Sequence, residues 1–198
     1  MLVGVSTPAD LYFSVDVEAD GPIPGEYSML SFGLAVAGRF DGKHFEAIDP
    51  STRTFYAELV PIGDRWDPAA LDVSGLDREV LTREGRDPRA AMDDAGTWVR
   101  EQAGADRPVL VGFPLPFDWM FVYWYFMRFA TQGSPFDFSS GLDMKTMYQQ
   151  KAGVTLSAAG RDDLPAVLRG EAPHRHHALG DAIEQAGIFA RLFVWDGR

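Results

Sequence analysis

The sequence predicts an α/β fold in which a mixed central sheet begins antiparallel, continues with parallel strands and is flanked by helices. Its first sixty residues hold runs with strand chemistry and no helical periodicity. A short apolar segment, Pro108–Phe113, then stands between two helical stretches, as a strand covered on both faces does. A long amphipathic helix closes the chain, so strands come first and helices alternate with strands afterwards.

Leu11–Val17 alternates and is rich in β-branched and aromatic residues, and Ser28–Ala37 is a second apolar run; both predict strands. Between them, Asp20-Gly-Pro-Ile-Pro-Gly25 is dense in turn formers and predicts an irregular loop at the first strand's end. Thr54–Val60 supplies a third strand, and an antiparallel meander is the simplest arrangement of the three. From Asp67 to Ala103 the pattern turns helical, with Ser74 and Asp87-Pro88 as start signals and Gly104 as a stop. After Pro108–Phe113 a helix begins near Pro116 and stays almost wholly apolar to Phe129. Leu142–Gln150 predicts a short helix whose first turn Asp143 caps and which Gly153 ends, and Asp162–Arg169 predicts another. His177–Val194 places Leu179, Ile183, Ala186, Phe189, Ala190 and Phe193 at helical spacing.

The 198 residues suit one domain, taken as residues 1–198. Cysteine is absent, which excludes a disulfide framework, a thiolate metal site and a cysteine nucleophile, so any metal must bind oxygen or imidazole. The N-terminal stretch has no basic region ahead of a long apolar core, so no secretory signal is read and a cytoplasmic location is expected. Phe117–Phe129 is interrupted by Asp118 and Arg128 and falls short of the roughly 20 residues a membrane span needs. Eighteen Lys and Arg against 29 Asp and Glu give a net charge of −11, which disfavours broad binding of duplex nucleic acid. An enzyme that grips one chain end stays compatible with that charge, because cations held by carboxylates supply positive charge locally.

Three elements carry groups able to do chemistry. Asp16 and Glu18 sit two apart on the first strand, so both point to one face at the strand's carboxyl end, where α/β sheets place ligands. Asp118 follows the buried strand and opens the apolar helix; it serves either as an aspartate satisfying free N–H groups or as a site residue at the same sheet edge. In His176-His-Ala-Leu-Gly-Asp181-Ala182 the histidine precedes a helix and the aspartate interrupts that helix's apolar neighbours. An inward carboxylate of this kind needs a metal or a charged partner.

Together these elements resemble the DEDDh group of 3′-to-5′ exonucleases, DnaQ-like proteins of the RNase H-like superfamily that include proofreading subunits, oligoribonuclease and small exoribonucleases. The family's Asp-x-Glu falls on Asp16 and Glu18, its Phe-Asp on Phe117 and Asp118, and its His-x-Ala-x-x-Asp-Ala on His176, Ala178, Asp181 and Ala182, in the same order over residues 11 to about 194. The resemblance implies an RNase H-like sheet and hydrolysis of phosphodiester bonds at the 3′ end of single-stranded nucleic acid. It also implies two divalent ions, Mg2+ or Mn2+, held by Asp16, Glu18, Asp118 and Asp181, with Asp16 bridging and His176 as general base. Carboxylates suit such hard cations, and imidazole titrates nearest neutral pH. His174 and His177 are rival bases, and Arg175 or His174 could hold a phosphate, as could Lys145, Lys151, Arg161 and Arg169. The chain departs from the family pattern at Phe113-Pro114, where many members have His-Asn, and at Ala19, where many have Thr. Both changes concern the hold on the terminal nucleotide.

RNA is slightly favoured over DNA, from the likeness to small exoribonucleases and the absence of an added DNA-binding segment. Two alternatives stand beside this reading: a metal-dependent hydrolase of small phosphodiesters or nucleotides, and a noncatalytic nucleic-acid-binding module on the same fold. The aromatic helix is likewise open to core packing, a homodimer seam or base stacking.

Overall fold

The computed structural model describes residues 8–170 and 176–197. Among the described residues the central sheet has six strands. β1 (Asp10–Ala19) pairs antiparallel with β2 (Met29–Phe40), and β3 (Phe45–Ala47) and β4 (Thr54–Glu58) both pair antiparallel with β2, at Gly38–Phe40 and Ser31–Ala35 respectively. β5 (Arg107–Gly112) and β6 (Gly141–Asp143) continue the sheet in parallel from β1. This is the expected RNase H-like mixed sheet, antiparallel first and parallel afterwards.

Alternation along β1 divides the interior in two. Leu11, Phe13, Val15 and Val17 face α3 (Pro88–Ala103) and α4 (Leu115–Phe129), where Phe13 meets Trp98 edge-on and packs with Met92, Val99, Phe121 and Phe126. Tyr12 points the other way, onto Phe189 and Phe193 of α6 (Ala178–Val194). Each fully buried large apolar side chain contributes about 1.5–3 kcal/mol of transfer free energy. The aromatic helix is therefore chiefly a core helix: Phe121, Val122, Tyr125 and Phe126 are fully buried. No described helix is long and apolar enough to cross a membrane.

Four helix starts follow aspartates. Asp67, Asp77, Asp87 and Asp143 cap α1 (Pro68–Ser74), α2 (Arg78–Glu84), α3 and α5 (Met144–Ala152), each accepting from a backbone N–H of the first turn. The caps at Asp87 and Asp143 and the stops at Gly104 and Gly153 agree with the sequence. Ser74 does not: it ends α1, its hydroxyl donating to the Leu71 carbonyl and accepting from Leu76 N, while Asp67 and Asp77 cap α1 and α2. Leu142 also belongs to a strand, β6, and the helix starts one cap later. Asp162–Arg169 forms no α-helix; a 3-10 turn at Arg161–Asp163 leads into a segment where Pro165 removes an N–H donor. The three-residue β3 is too short to leave a pattern in the sequence.

Candidate active site

Pairing of β1 with β5 ends at Ser14–Val111, so Asp16 and Glu18 lie beyond it, at the carboxyl end of the sheet. The residues opposite Asp16 form one row across three strands: Asp16, then Gly33, then Tyr56. Gly33 is required there by a close approach. A Cβ on it would lie 2.5 Å from the Ala178 carbonyl oxygen and 2.5 Å from the Leu179 Cα, so the first turn of α6 rests on bare backbone. Tyr56 stacks on His177, ring centroids 5.0 Å apart, and holds the same turn from the far side.

That turn is capped reciprocally. His177 Nδ1 accepts from Gly180 N at 3.3 Å, and His177 N donates to Asp181 Oδ2 at 3.1 Å. The result sets Asp181 beside β1: single oxygens of Asp16, Glu18 and Asp181 lie within 4.8 Å of one another. One turn further along α6, Gln185 donates from Nε2 to Asp16 Oδ1 at 2.8 Å and accepts from Phe113 N at 2.7 Å. His176 adopts a left-handed backbone (φ 50°) just before the cap and lines the cleft.

Asp118 reaches the same place from the other face. It sits in the first turn of α4, 6% exposed, and its Oδ1 accepts from Val17 N at 3.0 Å. It thereby replaces β5, which has already left β1, as partner of that N–H.

Burial and mutual repulsion dominate the electrostatics. Asp16 is pushed well above the usual carboxylate range by burial, then by Asp118, Glu18 and Asp181, with Arg161 only partly offsetting them. Glu18 is raised from 4.5 to about 7 by burial and Asp181. Asp118 is raised by burial, opposed by the Val17 N–H. A set of oxygen donors this close and this poorly compensated fits a hard divalent cation, which would reverse the repulsion. The group can hold a metal through Asp16, Glu18 and Asp181, with Asp118 beside it.

The cleft in front of these groups has a volume of about 610 Å³. Asp16, Glu18, Asp118, His176, Gln185 and Arg161 give it a polar floor, while Pro22, Val73, Phe113, Pro114 and Phe117 give it apolar walls. Val73 of α1 is 55% exposed and Phe117 39% exposed. Four of the five residues singled out in the sequence line this one cleft, and the fifth, Asp181, joins Asp16 and Glu18 in the oxygen cluster. His177 is a helix cap stacked on Tyr56, and Lys151 is turned away to the carbonyls of Leu192, Phe193 and Trp195. Arg169 bonds the carbonyls of Leu164 and Asp162. Arg161 reaches the cleft, paired with Glu184. His174 and Arg175 lie outside the described residues. Sequence reasoning missed Gln185, although its position four residues after Asp181 puts it on the same helix face.

No family model matches the chain. The curated 3′-5′ DNA exonuclease Cap18 of Escherichia coli is 36% identical over 184 residues, covering 92% of this chain and 91% of that protein. Among solved structures, the nuclease domain of 3′hExo, a DEDDh family member bound to rAMP, superposes with a TM-score of 0.65 at 12% identity, over 96% of this chain and 93% of that one. Cell-death related nuclease 4 (CRN-4) superposes with a TM-score of 0.62 at 12% identity; the match covers 95% of this chain, which spans 64% of that longer protein. At such identities these two structures speak for the fold alone.

Proposed function

Since this chain belongs to the DEDDh-type, DnaQ-like family of 3′-to-5′ exonucleases, we propose that residues 1–198 act as one exonuclease domain that removes nucleotides from the free 3′ end of single-stranded DNA. The observation that carries this is the convergence of Asp16, Glu18 and Asp181 within 4.8 Å, with Asp118 and His176 in the same cleft. Two divalent ions, Mg2+ or Mn2+, would supply water activation and stabilisation of the departing 3′ oxygen.

The family resemblance makes Asp16 the ligand that two ions would share, with Glu18 and Asp181 grouped beside it and Asp118 in the same cleft. His176, which lines the cleft, is the residue we assign as general base for the attacking water, the role to which imidazole is suited. The apolar walls seat the terminal nucleotide and exclude bulk water; Arg161 places positive charge opposite the carboxylates. A carboxylate-floored cleft in an acidic protein suits a single chain end better than a duplex. A cytoplasmic enzyme acting without a membrane partner, as a monomer or a homodimer, is the setting we propose.

DNA takes precedence over RNA because the relative at 36% identity is named a DNA exonuclease; the sequence's lean toward RNA rests on likeness to small exoribonucleases and on the absence of an added DNA-binding segment. A matched set of DNA and RNA oligomers, with free and blocked 3′ ends, tests both with Mg2+, Mn2+ and chelator. Mononucleotides should leave the free DNA end only with metal present. Faster shortening of RNA would reverse the substrate order, and turnover of a small diester without shortening of any oligomer would favour the small-phosphodiester hydrolase.

A further inference from the structure

We propose that Gln185 is a positioning residue that fixes Asp16 for cation binding by tying it to the cleft wall at Phe113; this rests on the reading of the carboxylate group as the metal centre of an exonuclease. Gln185 is 2% exposed and projects from α6 one turn beyond Asp181. Its two amide atoms do different things. Oε1 accepts from Phe113 N at 2.7 Å, and Nε2 donates to Asp16 Oδ1 at 2.8 Å.

The orientation of this amide is not free to reverse. A backbone N–H has no lone pair, so only the oxygen can face Phe113, and the nitrogen must then face Asp16. Asp16 accordingly meets a donor on one oxygen, and its remaining lone pairs stay available for a cation. In the absence of that donor, the carboxylate next to Glu18, Asp118 and Asp181 would rotate away from its neighbours' charge. Satisfying Phe113 alone would need only an acceptor, so the bond to Asp16 adds something beyond the stability of the strand end.

The tether also joins two parts of the site. Phe113 and Pro114 form a wall of the cleft, and Asp16 its floor. A nucleotide pressed on that wall therefore acts, through one side chain, on the position of a metal ligand. These are also the residues at which the sequence departs from its family's pattern, where many members carry His-Asn. The geometry joins that departure to Asp16 through Gln185.

The test compares Gln185→Met, which keeps volume and removes both hydrogen bonds, with Tyr125→Phe, which removes the 2.7 Å bond to Met29 N. Tyr125 is buried in the opposite core and takes no part in the cleft. Mn2+ affinity is read by electron paramagnetic resonance on the full chain without nucleic acid, and kcat and KM by release of nucleotides from a single-stranded DNA oligomer. Gln185→Met should weaken Mn2+ binding by about tenfold, as loss of a partner behind a metal ligand does, and lower kcat with KM within about twofold. Tyr125→Phe should lower the melting temperature and leave Mn2+ affinity and kcat within about twofold of the parent. Should Gln185→Met not fold, Gln185→Asn, an amide too short to span both partners, should weaken Mn2+ binding more than about threefold. Mn2+ affinity unchanged in whichever of these variants folds would overturn the proposal. A parent protein that neither binds Mn2+ nor shortens any oligomer would overturn both the proposal and the reading beneath it.

Discussion

Helices α4 and α6 both carry an aspartate in the first turn, and both bring it to the end of β1, from opposite faces of the sheet. Their carboxylates are held differently. Asp118 bonds the backbone of β1 itself through Val17 N, whereas Asp181 accepts from His177 N at the start of its own helix and joins Asp16 and Glu18 in the oxygen cluster. One aspartate thus ties its helix to β1, and the other caps its own helix while facing the site.

Alanine substitution should separate the two. Asp118→Ala and Asp181→Ala should each lower nucleotide release on the order of 10³-fold, about 4 kcal/mol of transition-state stabilisation. Asp118→Ala should also lose about 1–3 kcal/mol of stability in denaturant titrations, because the Val17 N–H is left buried without an acceptor. Asp181→Ala should lose less, because removing a charge that repels Asp16 and Glu18 offsets part of the lost capping bond to His177 N.

Gly33→Ala attacks the seat of α6 without touching a polar group. The added methyl would meet Ala178 and Leu179 backbone atoms, so we expect about 1–3 kcal/mol of destabilisation, as overpacking produces, and a fall in kcat of about 10- to 100-fold. The equivalent substitution at Gly42, where a Cβ meets nothing within 4 Å, serves as a control for space; its positive φ of 92° adds local strain, in the β2–β3 turn whose flanking Phe40 and Phe45 pack on Phe193 rather than on the first turn of α6.

Stability against pH probes the cluster without any substrate. The folded protein binds the Glu18 proton more tightly than the unfolded chain does, so between about 4.5 and about 7 stability should fall as pH rises. Asp16 and Asp118, both raised, act in the same direction. Added Mn2+ should flatten this slope; thermal melting at several pH values, with and without the ion, checks both statements. An unchanged slope with Mn2+ would contradict occupancy of the cluster.

The smallest effect belongs to Tyr56. Its stack on His177 is of the kind worth about 0.5–1.5 kcal/mol, so Tyr56→Ala should slow nucleotide release by roughly two- to tenfold, while Tyr56→Phe keeps the ring and most of the rate. Equal losses in both would move the effect to the hydroxyl, which bonds Glu58.

Much of this arrangement was legible because its signals are local. Alternation at Asp16 and Glu18, the Asp87-Pro88 start and the spacing from His176 to Asp181 each depend on a few neighbouring residues. Features set by distant contacts were not. Nothing near Gly33 in sequence announces that α6 rests on it, and Gln185 reads as one polar residue of an amphipathic helix until Asp16 and Phe113 are placed beside it. Ser74 shows the reverse failure: a good cap residue by type that ends α1, while Asp67 and Asp77 cap α1 and α2.

The most direct test follows Mn2+ binding and 3′-end nucleotide release together in the parent and in Asp181→Asn, which keeps shape and hydrogen bonding but removes the charge. We expect Mn2+ affinity and release of nucleotides from single-stranded DNA to be lost together, with the fold retained. Release at the parent's rate by Asp181→Asn, or Mn2+ bound as tightly as before, would contradict the assignment of this carboxylate cluster as the metal centre.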